Sequence, residues 1–136
     1  WSDVLIVKGI LNPNDAVRAR EAGVDGIILS NHGGRQLDST ISPMQVLPEI
    51  KRRVSDIPIM IDSGFRRGTD VIKALALGAD FVFVGRPFNY AAACAGQEGV
   101  EHVAALLERE IERNMALLGL TALSQLDRSC LYQPMN

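Results

Sequence analysis

The apolar positions of this chain fall into four short, continuous runs separated by stretches with helical spacing, and each run ends on a polar or glycine-containing cluster. The first run, Val4 to Val7, ends at Lys8-Gly9. Asn12-Pro13-Asn14-Asp15 then supplies capping side chains for a helix expected from about Ala16 to Ala22, which Gly23 stops. The second run is Gly26 to Leu29. Ser42-Pro43 opens a helix towards Arg53, and Ile57 to Ile61 makes a third strand ending on Asp62. Gly68-Thr69-Asp70 starts a helix through Leu77, Gly78 ends it, and Phe81 to Val84 forms a fourth strand before Gly85-Arg86. A long amphipathic helix is expected over roughly Val100 to Leu118. In and just beyond it, Met115, Leu117, Leu118 and Leu120 read as core packing and His102 as a surface or packing residue.

Strands that are apolar along their whole length suit a parallel sheet covered by helices. Glu21 to Ile28 and Ala76 to Phe83 repeat one pattern of helix end, glycine, aspartate and apolar strand, so a single βα unit recurs. The expected fold class is α/β, barrel-like or doubly wound. The preferred reading is four consecutive βα units of a TIM barrel, a half-barrel over residues 1–120 followed by a tail over 121–136. A complete (β/α)8 barrel takes about 250 residues and this chain has 136. An isolated four-strand arc would leave two edges and one face uncovered, so the rest of the barrel is expected from elsewhere.

Composition narrows the function. A net charge of -2 leaves no basic excess for a nucleic-acid surface. Cys94 and Cys130 lie far apart without metal-ligand spacing, so no metal site is expected, and with no secretory signal they read as reduced thiols. No apolar stretch approaches the roughly 18 residues that span a bilayer. The chain opens at Trp1 rather than at a methionine and reads as trimmed.

The chemistry lies where the strands end. Lys8 follows the first, Ser30 with His32 and Arg35 the second, Asp62 with Gly64 and Arg66 the third, and Gly85 with Arg86 the fourth. The carboxyl ends of parallel strands are where α/β folds keep their active sites. Glycines combined with arginines in the last two loops suit a phosphate, which takes backbone N–H groups and bidentate guanidinium bonds. A phosphorylated cofactor follows from that position, while its identity does not. Arg67 and the aromatic pair Phe88 and Tyr90 read as helix-start and packing residues.

Val7-Lys8-Gly9, Leu29 to Asp38 (LSNHGGRQLD), Asp62 to Gly68 (DSGFRRG) and Leu75 to Ala79 together resemble the FMN-dependent 2-hydroxy-acid dehydrogenases and oxidases, over nearly the whole chain. The Asp62-Ser63-Gly64 form is most similar to the bacterial L-lactate and mandelate dehydrogenases. The resemblance implies strands 5–8 of the barrel, FMN as cofactor, and oxidation of an L-2-hydroxy acid to the 2-oxo acid. It implies that His32 is the base that takes the substrate proton as the Cα hydrogen passes to flavin N5. An imidazole suits that task because it changes charge near neutral pH. Asp62 would pair with His32 and stabilise the imidazolium, and Arg35 would hold the substrate carboxylate. Lys8 would lie near flavin N1 and Ser30 would hydrogen-bond the isoalloxazine. Gly64, Arg66, Gly85 and Arg86 would hold the phosphate and ribityl chain, with Ser63 and Phe65 contributing mainly backbone.

The same resemblance implies an absent amino-terminal half-barrel as partner, inactivity of this chain without it, and a homo-oligomer. The electron acceptor stays open among oxygen, a quinone and a cytochrome. The compartment is expected to be cytoplasmic, with peripheral attachment to the inner membrane in the full-length protein. Two other readings remain: another FMN- or phosphate-binding barrel enzyme, and a non-catalytic half-barrel that self-associates through its open edges.

Overall fold

The computed structural model describes residues 2–132. Four parallel strands, β1 (Ile6–Ile10), β2 (Gly26–Leu29), β3 (Ile59–Ile61) and β4 (Phe81–Val82), lie side by side in sequence order. Helices α1 (Pro13–Glu21), α2 (Pro43–Arg53) and α3 (Gly68–Ala76) connect them, and α4 (Arg86–Leu118) follows the last.

Side chains alternate across a strand, and here the two faces have different fates. Ile27, Leu29, Ile59 and Ile61 point into the helix layer and are fully buried with Leu47, Ile50 and Val54. Fully burying a side chain of this size is worth about 1.5–3 kcal/mol, so this layer holds the sheet to its helices. On the opposite face the register aligns Lys8 with Ile28, Ile28 with Met60, and Met60 with Phe81. That face stays open: Ile6 is 44% exposed, Phe81 55% and Phe83 41%. It carries apolar side chains with nothing among the described residues to cover them, as the inside of half a barrel would.

The repeated glycine-aspartate pattern has a structural cause. Gly23 (φ +85°) and Gly78 (φ +102°) turn the chain out of α1 and α3 through left-handed backbone. Asp25 then clips the start of the neighbouring strand: its carboxylate accepts from Leu5 N at 2.7 Å while its own N–H donates to Leu5 O at 2.8 Å. Asp80 repeats the arrangement on Ile59, at 2.8 and 2.9 Å. Both clips lie at the rim opposite the polar clusters.

Several boundaries differ from the sequence reading. β1 starts two residues later and runs past Lys8, because Gly9 at φ +100° accommodates an irregularity between Lys8 and Ile10 that lets the ladder continue. α1 begins at Pro13, with the Asn12 side chain accepting from Asn14 N at 2.8 Å. β3 loses Ile57 and Pro58, since proline has no N–H to give the ladder. β4 is two residues long, although Phe83 N still donates to Ile61 O. The last helix starts at Arg86 rather than near Val100, and it breaks at Ala95 and Gly96, whose backbones leave helical geometry. Leu117, read as core, is 80% exposed, and Leu118 is 43% exposed. Beyond the left-handed cap at Gly119, a short helical turn at Arg128–Cys130 lies beside α3. The expected tail over 121–136 lies outside the described residues from 133 onwards.

Candidate active site

All four strand ends open into one cleft of about 390 Å³. Lys8, His32, Arg35, Asp62, Ser63, Gly64, Phe65, Arg66, Gly85 and Arg86 line it, together with Asn89. Ser30 lies beneath the lining, 1% exposed. Four cations face one carboxylate there, a balance suited to an anionic ligand. Arg67 lies outside the cleft on Glu110, at 2.6 Å, and His102 is exposed on α4.

The histidine loop is an unusual piece of backbone. His32, Gly33 and Gly34 take φ of +56°, +69° and +73° in succession. Glycine adopts this region freely, whereas a non-glycine residue there costs about 1–3 kcal/mol and is held only by its surroundings. Those surroundings are hydroxyls. The amides of Asn31 and Gly33 donate to Ser63 Oγ at 3.2 and 3.1 Å, and the amide of His32 donates to Ser30 Oγ at 3.0 Å. Gly34 N closes the turn on Asn31, through both its carbonyl and its side chain. The His32 ring itself makes no hydrogen bond among the described residues and packs beside Gly9, where an added Cβ would meet Nε2 at 3.0 Å.

Asp62 does not pair with His32 as expected. Its carboxylate forms an ion pair with Lys8 at 2.6 Å and accepts from the Ser63 hydroxyl at 2.8 Å. Lys8 also donates to Ser30 Oγ at 2.8 Å. The reason is placement: the register sets Lys8 on the open sheet face at β1, within reach of the third strand's end, while the left-handed turn carries His32 towards Gly9. Burial pushes the Asp62 carboxyl up and is the largest single influence. The hydrogen bonds from Lys8 and Ser63, the nearby Ser30 hydroxyl and the Lys8 charge outweigh it and hold the carboxyl below its ordinary value. Asp62 is therefore ionised at neutral pH.

The two glycine-arginine loops take positions suited to phosphate. Gly64 (φ +87°) and Gly85 have open space where a Cβ would stand, which leaves their backbones accessible. The Arg66 side chain has no partner among the described residues, and Arg86 donates to Gly33 O at 3.2 Å. Behind them Glu110 of α4 clamps the start of α3: Gly68 N donates to Glu110 Oε2 at 2.7 Å, and the contact is so close that a Cβ on Gly68 would stand 2.7 Å from Ile111 N. An unpaired guanidinium, a second one lining the same cleft and open glycine backbone fit a phosphate group, and Lys8 adds charge from the first strand.

Two residues escaped the sequence reading, and a third was read in a different role. Gly9 makes room for the imidazole, and its signal was the glycine directly after the lysine at a strand end. Glu110 fixes the start of α3 from a distant helix and leaves no local signal. Ser63, expected to contribute mainly backbone, acts through its hydroxyl.

Comparison with known proteins agrees with this geometry. The model of the FMN-dependent dehydrogenase family matches residues 1–133. An L-lactate oxidase of Nostoc sp. is 49% identical over 129 residues, covering 94% of this chain and 35% of that protein. An (S)-mandelate dehydrogenase of Pseudomonas putida is 49% identical over 126 residues, 93% of this chain and 32% of its own length. A crystal structure described as the monotopic membrane protein (S)-mandelate dehydrogenase superposes with a TM-score of 0.94 at 48% identity, over 97% of this chain and 35% of that one. The chain thus spans about a third of the length of the curated relatives it matches, and by sequence, fold and cleft it belongs to the FMN-dependent dehydrogenase family.

Proposed function

We propose that this chain forms the carboxyl-terminal half of an FMN-dependent barrel that oxidises an L-2-hydroxy acid, lactate- or mandelate-like, to the 2-oxo acid. The observation that carries the reading is the convergence of His32, Arg35, Lys8, Asp62, Arg66 and Arg86 on one cleft. FMN, when bound, would supply the two-electron acceptor for the hydride, one proton with its electron pair, that leaves the substrate carbon. Arg66, Arg86 and the open backbones of Gly64 and Gly85 would hold its phosphate, and Lys8 would place charge towards the ring. Arg35, exposed and unpaired among the described residues, holds the substrate carboxylate through a planar fork of donors. His32 takes the hydroxyl proton, so the carbonyl forms as the Cα–H bond breaks. Asp62, ionised and central to the cleft, favours a positive charge on that imidazole through the field rather than by direct contact.

The open apolar face of the sheet is the surface against which the other half of the barrel would pack, and turnover would need it. The reading places the protein in the cytoplasm, with any attachment to the inner membrane peripheral. Among the described residues no helix is long and apolar enough to cross a membrane, and one neighbour is described as monotopic. Anaerobic addition of L-lactate or (S)-mandelate to the full-length flavoprotein tests the reaction. The flavin absorbance should bleach with one of them; a flavin that no 2-hydroxy acid bleaches would leave a different FMN enzyme as the better reading.

A further inference from the structure

We propose that the Ser63 hydroxyl is a positioning residue for the proton-transfer step, holding the His32 loop in its left-handed turn and tying it to the Asp62 carboxylate. Three consecutive amides of this loop, Asn31, His32 and Gly33, donate to serine hydroxyls. Ser63 Oγ takes two of the three. Its single proton goes to Asp62 Oδ1 at 2.8 Å, so the hydroxyl is used fully, with two bonds accepted and one donated. The residue itself stands at φ +75°, a strained backbone for a non-glycine side chain. Glycine would relieve the strain and abolish all three bonds. A strained serine with a fully engaged hydroxyl is explained by what the hydroxyl holds.

The consequence is mechanical. His32 makes no ring hydrogen bond among the described residues, so its aim depends on the backbone that carries it. That backbone is anchored on Ser63, which is anchored on Asp62, which Lys8 holds in place through an ion pair at 2.6 Å. Asp62 and His32, which do not touch, are thereby joined through one hydroxyl and the loop amides.

The test uses the full-length flavoprotein and the substitution Ser63→Gly, which suits the positive φ, with Ser63→Ala as a second variant that keeps Cβ. The kinetic part rests on the hydroxy-acid reading above; the exchange part does not. Residue-resolved hydrogen exchange should show the Asn31 and Gly33 amides protected in the unsubstituted protein and exchanging about fivefold faster or more in Ser63→Gly. The variant should keep its FMN spectrum and a KM within about twofold, while kcat falls about tenfold as the imidazole loses its aim. Unchanged exchange or unchanged kcat in Ser63→Gly overturns the inference. If neither variant folds, the unsubstituted protein decides, because free exchange at Asn31 and Gly33 there also overturns it. A protein whose flavin no hydroxy acid reduces refutes the reaction instead, and protected amides released by Ser63→Gly would still establish the anchor.

Discussion

Gly9→Ala isolates how closely the imidazole is seated. Gly9 sits at φ +100°, so any side chain there costs about 1–3 kcal/mol in backbone strain. The added Cβ would also stand 3.0 Å from His32 Nε2 and 3.4 Å from Cε1, against an ordinary contact of about 3.5–4.0 Å. The ring, free of hydrogen bonds, is the part that yields, by roughly 0.5–1 Å. Misplacement by 1 Å costs about a hundredfold in rate, so flavin reduction by the hydroxy acid should slow by about 10- to 100-fold. Gly23→Ala is the control, because Gly23 has a similar φ of +85° with nothing within 4 Å of the new Cβ. Stopped-flow reduction of the full-length protein, with thermal unfolding of both variants, separates strain from misplacement. Comparable destabilisation with a rate loss only in Gly9→Ala is expected. An undiminished rate in Gly9→Ala, or an equal rate loss in Gly23→Ala, would refute the argument.

Removing a charge and filling a gap give further checks. Since the folded Asp62 carboxyl lies below its unfolded value near 3.9, it favours folding at neutral pH, and this contribution is lost as the pH falls through the folded value. Lys8→Met keeps the cost of burial and removes the ion pair, so urea midpoints measured from pH 7 to 2.5 should show a flatter acid limb than in the unsubstituted protein. Gly68→Ala drives a Cβ to within 2.7 Å of the Ile111 backbone and 2.6 Å of Glu110 Cβ. It should cost about 1–3 kcal/mol and weaken FMN binding by shifting the adjacent arginine loop, read by chemical unfolding and flavin titration. Arg66→Gln and Arg86→Gln should each weaken FMN at least tenfold, since a hydrogen bond to a charged group is worth about 1.5–3 kcal/mol. Riboflavin, which lacks the phosphate, should bind both variants as it binds the parent.

What could be read from the chain follows the physics of each signal. Continuous apolar runs mark buried parallel strands, so the strand ends, and the cleft residues that follow them, were legible before any coordinates. The aspartates at 25 and 80 announced themselves by repetition, though only the backbone shows that each clips the neighbouring strand. Partner choice was not legible. Lys8 and His32 are both plausible companions for Asp62 in the sequence, and the β1 register decides for Lys8. Likewise the break at Ala95 and Gly96 lies in an alanine-rich stretch that favours helix on either side. Leu117 carries the right residue type for a core but falls on the outer side of its helix.

The account stands most directly on a crystal structure of the full-length protein holding FMN and a 2-oxo acid. It predicts the phosphate on Arg66, Arg86 and the Gly64 and Gly85 backbones, the oxo-acid carboxylate on Arg35, and the His32 ring within hydrogen-bond distance of the oxo oxygen. A flavin bound elsewhere, or an oxo acid whose reacting oxygen lies beyond reach of His32, would contradict it.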